Sequence, residues 1–237
     1  SNQTIAGASF VNVNTVDLEL MNFAANAVGV QSEQVSSLAL VGDQITDSTS
    51  FGLDVLDNIN VLVSQSAFDS NQGVNQVRIR ASQLLNSVAT PDTPAYNFTI
   101  EDSLFRDSST VAEVGDGDMI AISTLATANN STLNLIIQNN GRTVSGGIIG
   151  FESNRAAGNA VISTRWNGNV NSTIANNNIR MSSLSGQVGV RMISNRVSAV
   201  NNIVYSGNVL NDGGGLEDTG LLFDFYGTTN LSIIDNY

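Results

Sequence analysis

Carboxylates are the side chains through which this 237-residue chain could do chemistry, because it contains no histidine, cysteine or lysine. The missing histidine removes the commonest general base near neutral pH, and the missing cysteine removes thiolate nucleophiles and ligands. Glu152 and Asp224 are the candidate catalytic acids. When the apolar positions of their segments are aligned, both acids fall in one outward column with Arg191 between them.

This alignment predicts a separation of about 10 Å between Glu152 and Asp224, since neighbouring strands lie about 4.8 Å apart. Such a pair suits sugar hydrolysis with inversion better than retention. The alternative is a surface charge ladder of Glu152, Arg191 and Asp224, in which each pair stabilises by about 0.5 kcal/mol.

A second group of carboxylates alternates with glycine in the segment 113–118, where Glu113, Asp116 and Asp118 could bind calcium through oxygen ligands. The segment does not match an EF-hand, so a simple turn is the alternative. Calcium is the one cofactor that the sequence suggests.

Trp166, the single tryptophan, lies beside Arg165. An exposed aromatic ring next to a guanidinium group could stack on a sugar or anchor a protein contact. We therefore take Trp166, Arg165 and Arg191 as candidate ligand-binding residues. Packing of Trp166 beneath its own loop is the alternative.

These residues must be positioned by a repeating element. The element begins with Asn and continues with alternating apolar residues and a polar pair, as in Asn134–Asn140. The leading Asn recurs at 60, 97, 134, 171, 201 and 230, and shorter copies begin at 15 and 37. A bare unit of about 22 residues suits one coil of a parallel β-helix with three short strands, and the longer periods are that unit with inserted loops.

Two predicted columns follow from this repeat. Val63, Ile100, Ile137, Ile174, Val204 and Ile233 should point inward, and the polar pair should provide a second column at Gln65, Asp102, Asn139, Asn176, Ser206 and Asp235. A second strand family alternates with the first and supports the coil. Its copies are 51–56, 77–80, 119–123, 147–152, 188–191 and 221–225.

The predicted fold is therefore all-β, a single-stranded right-handed parallel β-helix of about eight coils. Long loops are predicted at 81–95, 106–117, 155–168 and 207–219, along one side. We expect residues 1–237 to form one β-helix domain that is a segment of a longer protein, because the chain ends directly after a core strand without a cap.

Composition limits the partners. The net charge is −12 and the pI is about 4.1, so the chain has little with which to neutralise phosphates, and neither nucleic acid nor an acidic lipid surface is an expected partner. No apolar run approaches the roughly 18 residues of a membrane helix, so membrane insertion is not expected.

The strand and turn pattern resembles the right-handed parallel β-helix repeat proteins. Gly146–Ile149 followed by Phe151–Asn154, with a second Phe-x-x-Asn at Phe68–Asn71, is similar to motifs of autotransporter-type surface proteins. This resemblance implies an extracellular or cell-surface location and an adhesive or stalk-like function. The implied partner is a protein or glycan on a host or neighbouring cell.

The same fold houses pectate lyases, polygalacturonases and alginate epimerases, whose lysine- or histidine-containing motifs cannot exist here. An acid pair like that of tailspike glycosidases remains compatible. We thus predict a non-enzymatic adhesive or structural module. The alternatives are a carbohydrate-binding or polysaccharide-degrading β-helix, a glycoside hydrolase if it is an enzyme, and a module that self-associates through its end coils.

Overall fold

A computed structural model describes residues 6–72, 75–82, 95–107, 117–124, 131–144, 147–154, 159–181, 186–211 and 218–237. The chain winds through three parallel sheets in eight successive coils, which confirms the predicted right-handed parallel β-helix. Within the described ranges there is no helix with the length and hydrophobicity needed to cross a membrane.

Each coil contributes one strand to each sheet, in the order A, B, C, except that coil 8 stops after sheet B. The strands of sheet A are Ala6–Val11, Val28–Glu33, Phe51–Leu56, Asn75–Ala81, Ile120–Thr124, Ala160–Arg165, Val188–Ser194 and Thr219–Phe225. Those of sheet B are Thr15–Glu19, Ser37–Val41, Asn60–Ser64, Ala95–Glu101, Thr132–Gln138, Asn169–Ala175, Val200–Ser206 and Thr228–Ile234. Those of sheet C are Asn22–Ala24, Gln44–Thr46, Ala67–Asp69, Leu104–Arg106, Phe151–Glu152, Asn178–Arg180 and Val209–Asn211.

Left-handed residues turn the chain at the corners. In coil 1 they are Asn12, Leu20 and Ala25, with φ of 54°, 54° and 55°, and the equivalent residues of coils 2 and 3 follow at steps of 22 and 23. The predicted polar column after sheet B lies at this corner, with positive φ at Gln65, Asp102, Asn139, Asn176 and Asp235. Gly207, rather than the predicted Ser206, occupies the corner in coil 7. Short polar side chains and glycine tolerate this backbone conformation.

The interior is filled by inward columns from all three sheets. One column of sheet C stacks Phe68 on Phe105 and Phe105 on Phe151, with ring centroids 5.1 and 5.0 Å apart. The predicted column of sheet B is correct at five positions and wrong at Val204. Asn202, not Asn201, pairs with Asn171, so the inward residue is Tyr205, which is 2% exposed, whereas Val204 is 38% exposed.

Two segments differ from their predicted places. The segment 147–152 is not a strand of sheet A: Gly147–Ile149 pairs antiparallel with Arg142–Val144 in an inserted hairpin, and Phe151–Glu152 belongs to sheet C. The predicted loop 155–168 contains the sheet A strand Ala160–Arg165, and the predicted loop 207–219 contains Val209–Asn211. Most of 81–95 and 106–117 lies outside the described residues.

Candidate functional site

The two candidate catalytic acids lie on different sheets, which corrects the predicted column. Glu152 is in sheet C and pairs with Arg106 and Arg180 on the adjacent coils. Asp224 is in the last strand of sheet A, where it pairs with Ile193, and Arg191 stands in the neighbouring column opposite Leu222. The error arose because the inserted hairpin provided a false copy of the sheet A pattern. Glu152 and Asp224 therefore do not flank a common groove.

Glu152 belongs to a row of alternating charges on the outer face of sheet C. Asp69, Arg106, Glu152 and Arg180 follow one another on coils 3 to 6. Arg106 binds both carboxylate oxygens of Asp69, with Nε 2.9 Å from Oδ1, and Arg180 Nη1 lies 3.4 Å from Glu152 Oε1. The alternation makes this row a structural ladder between coils.

The pKa values of the first pair reflect this contact. Burial is the largest influence on Asp69 and acts to raise its pKa, but hydrogen bonds from Arg106 and Ser70 and the charge of Arg106 together lower that pKa below its usual value. The hydrogen bond to Asp69 correspondingly raises the pKa of Arg106.

Trp166 is not an exposed platform. Its side chain is fully buried, and its ring packs edge-on against Tyr96 and Phe98, with centroids 5.3 and 6.4 Å away. Arg165 points outward on sheet A and is exposed, with no hydrogen-bond or ionic partner among the described residues. The chain turns inward directly after Arg165, so these two neighbours cannot bind one ligand together.

Arg191 and Asp118 are brought together, although they were predicted for different roles. Arg191 Nη1 lies 3.4 Å from Asp118 Oδ1, and both side chains are largely buried. The same oxygen of Asp118 accepts a hydrogen bond of 2.7 Å from the backbone N–H of Ala160. Glu113 and Asp116 lie outside the described residues. Within the residues described, no three acidic side chains come close enough together to hold a metal ion, and a calcium site remains a prediction.

A buried amide ladder runs along the corner between sheets B and C, one residue beyond the left-handed position. Asn140, Asn177, Asn208 and Asn236 occupy this corner in coils 5 to 8. Each side-chain oxygen accepts the backbone N–H of the preceding coil, as Asn177 Oδ1 does from Asn140 at 3.2 Å. Each Nδ2 donates back to a carbonyl of that coil, as Asn177 does to Ile137 at 2.9 Å. The signal in the sequence was the doubled Asn after the strand. Its first member is the predicted left-handed residue, where Asn176 Nδ2 donates to Asn139 Oδ1 at 3.4 Å, and its second member forms this buried ladder, which was not predicted.

A second amide ladder lies on the outer face of sheet B. Here Nδ2 of each Asn donates to Oδ1 of the Asn on the preceding coil, at 2.8–3.0 Å, through Asn60, Asn97, Asn134, Asn171, Asn202 and Asn230. The leading Asn of the repeat is therefore an external ladder.

From coil 2 onward the outer face of sheet B is also nearly free of charge, whereas coil 1 carries Asp17 and Glu19. We call the outward residues of its strands in coils 2 to 8 the sheet B face. Glu101 is the one charged residue among them, and its Oε2 accepts a hydrogen bond from Gln138 at 3.0 Å. This face was not predicted, although the amino-acid sequence of each strand already shows that charged residues are nearly absent from it.

Comparisons with known proteins add no assignment to these surfaces. No protein-family model matches the chain, and neither a curated protein nor a solved structure shows significant similarity to it. The rod and its outer faces are therefore the features that bear on function.

Proposed function

We propose that this chain is a non-enzymatic module of a secreted or surface protein that acts as a spacing rod in adhesion. The observation that carries the proposal is the pair of amide ladders. The inner ladder joins coils at the buried corner between sheets B and C, and the outer ladder joins them on the outer face of sheet B, so both add to the hydrogen bonds within the sheets. Coils 5 to 8 are joined by the inner ladder and coils 3 to 8 by the outer one.

The ladders favour a mechanical role because each continues without interruption over several coils, coils 5 to 8 for the inner ladder and coils 3 to 8 for the outer one. In a solenoid each coil contacts only its neighbours, so resistance to extension depends on the weakest coil-to-coil interface. The inner ladder adds buried hydrogen bonds at those interfaces, where leaving a group unpaired costs about 1–3 kcal/mol.

The surroundings of the carboxylates favour a role without catalysis. Asp54 is held between Arg78 and Arg80, with Arg78 Nη2 2.7 Å from Asp54 Oδ2. Asp69 and Asp118 are likewise engaged by arginines. These carboxylates act as links between coils.

Single-molecule force spectroscopy on tandem copies tests the rod. We expect successive extension steps that correspond to separating coils, and a lower force for the central steps in Asn177→Ala. Asn202→Ala, in the exposed ladder, is the matched control and should change the force little. Yielding of the whole chain in one weak step would contradict the proposal, and release of reducing sugars from neutral or acidic polysaccharides would contradict its non-enzymatic character.

A second candidate function, glycan binding, is favoured by Arg165. This exposed guanidinium group stands in one outward column with Ser123 and Arg80, at one-coil intervals. The column could bind an acidic polysaccharide that runs parallel to the rod axis, because guanidinium groups pair well with carboxylate and sulfate.

Binding of an immobilised anionic polysaccharide tests this candidate. Arg165→Gln should weaken binding several-fold at low salt, whereas Arg180→Gln, which removes an exposed arginine from sheet C, should not. Equal losses in the two variants would indicate only a general effect of net charge.

A further inference from the structure

Four consecutive strands of sheet B contain no charged residue. They are Thr132–Gln138, Asn169–Ala175, Val200–Ser206 and Thr228–Ile234, each of seven residues, in a chain whose charged fraction is 13%. Their inward residues fill the core, but their outward residues have no packing reason to avoid charge. Charged side chains are the ordinary means by which proteins protect such surfaces from association.

The outward residues of these strands form a grid of polar and branched apolar side chains. Ile136 and Val204 are each 38% exposed, and Val200 is 46% exposed. Thr173 lies between Ile136 and Val204 in the same column. In the described part of this face no aromatic side chain points outward, so it lacks the stacking platform with which proteins commonly hold sugar rings.

The external ladder restricts what could cover this face. An amide has two N–H groups and an oxygen with two lone pairs. Within the ladder one N–H and one lone pair are used by each of Asn134, Asn171 and Asn202. Each of these amides therefore keeps one N–H and one lone pair for another partner. These remaining groups recur at every coil, about 4.8 Å apart. A covering partner must meet them at the same interval, because a buried unpaired amide costs about 1–3 kcal/mol.

A second copy of this rod presents amides at the same interval, because its coils have the same spacing. The sheet B face covers seven coils by about six residues, or roughly 34 Å by 20 Å. The resulting area of about 700 Å² is close to the roughly 800 Å² that each partner contributes to a standard interface. Two copies that each carry a net charge of −12 would repel one another, and the repulsion is least on the sheet B face, whose one charged residue is Glu101.

We propose that two copies of this rod pair side by side through their sheet B faces, about the two-fold axis of a symmetric dimer. Symmetry then brings the same patch of each copy together. The sheets would stack about 10 Å apart, with Ile136, Thr173 and Val204 between them. The pairing rests on the rod and not on its adhesive role, so either could fail without the other.

Sedimentation equilibrium of three forms of the chain tests the pairing. The wild type should form a concentration-dependent dimer. Thr173→Glu should weaken dimerisation by at least about 100-fold, because it buries two like charges in the interface. Gln44→Glu adds the same charge at an exposed position of sheet C and should dimerise like the wild type. Far-UV circular dichroism should show equal β content in all three forms.

Cross-linking distinguishes this pairing from association through the end coils. The chain contains no cysteine, so a single introduced one reports on one position. A bismaleimide with a spacer of about 10 Å, the expected sheet separation, should link Thr173→Cys efficiently and Gln44→Cys poorly. A wild type that stays monomeric overturns the proposal. A dimer that persists in Thr173→Glu and is not linked through position 173 also overturns it and indicates end-to-end association.

Discussion

Asp43 occupies in coil 2 the inner corner position that asparagine occupies in coils 5 to 8. Its Oδ1 accepts the backbone N–H of Met21 at 2.7 Å, as the asparagine oxygens do on later coils. Its Oδ2 is buried and has no hydrogen-bond partner, whereas the corresponding asparagine nitrogen donates to a carbonyl of the preceding coil. Burial, partly offset by the hydrogen bond from Met21, raises the pKa of Asp43 above 3.8.

We predict that Asp43→Asn stabilises the protein at pH 7 by about 1–2 kcal/mol, because the new amide can donate where Oδ2 now has no partner. Because the pKa of Asp43 is raised in the folded protein, the ionised carboxylate lowers the free energy of unfolding, and this loss is fully present at pH values above the raised pKa. It disappears as the pH falls below 3.8, the ordinary value. The gain in unfolding free energy should therefore shrink in acid.

Urea denaturation of Asp43→Asn at several pH values measures this gain. Asp224→Asn removes one exposed carboxylate from the last coil and controls for net charge. A gain of the same size in both variants, or one that does not depend on pH, would contradict the role assigned to the buried carboxylate.

The wrong prediction of Val204 as an inward residue also depended on single residues. The doublet Asn201–Asn202 offers two registers that differ by one residue, and a one-residue shift exchanges inward for outward side chains. The aromatic Tyr205 was the correct core residue, but Val204 suited the aliphatic column better. The sequence pattern alone does not show that an aromatic ring fits at that level of the coil.

At the scale of the element, the two ladders should differ in strength although both are built of asparagine. Asn177 is 1% exposed and bonds to coils on both sides of its own. Asn202 is exposed, and water can replace its lost partners. Burial, more than the number of hydrogen bonds, determines the cost of removing each amide.

We predict that Asn177→Ala lowers the free energy of unfolding by about 2–4 kcal/mol and that Asn202→Ala lowers it by less than about 1 kcal/mol. The larger loss arises because the Ile137 carbonyl and the Asn140 N–H would remain buried without these partners. Chemical denaturation of both variants under one set of conditions provides the comparison. Similar losses would indicate that the exposed ladder contributes equally.

Sequence reasoning predicted the elements more reliably than the site. All eight strands of sheet B and five of the eight strands of sheet A were found, because apolar residues alternate with period two and recur at each coil. The sheet A strands Ala6–Val11, Val28–Glu33 and Ala160–Arg165 were missed. The short strands of sheet C were not located individually, since three residues carry too little periodicity. The proposed pairing of Glu152 with Asp224 failed because it required correct alignment of coils separated by insertions of different lengths, including the hairpin at 142–149.

At the scale of the whole molecule, stability should vary along the rod. The inward residues of coil 8 are only partly covered, and Ile233 is 51% exposed, whereas Ile174, in the same column on coil 6, is fully buried. Coils of a solenoid are stabilised mainly by their neighbours, and a coil with one neighbour opens more easily.

Hydrogen exchange followed by mass spectrometry should detect this gradient in the present chain. We predict slow exchange in Asn169–Ala175 and faster exchange in Thr228–Ile234, although both are strands of sheet B with the same length. Uniform protection would mean that the coils open only together. Faster exchange in the central strand would contradict the predicted order.

The two amide ladders also differ in direction. Along the inner ladder the N–H that bonds to the next asparagine points to the following coil, as from Asn140 to Asn177 at 2.8 Å, while Nδ2 also donates back to a carbonyl of the preceding coil. Along the outer ladder the N–H points to the preceding coil, as from Asn171 to Asn134 at 3.0 Å. An α-helix adds its aligned dipoles and collects partial charge at its tips. Here the asparagine-to-asparagine bonds of the two ladders run in opposite directions, and the inner amides also donate backwards, so lengthening such a column adds little electrostatic asymmetry between its two ends.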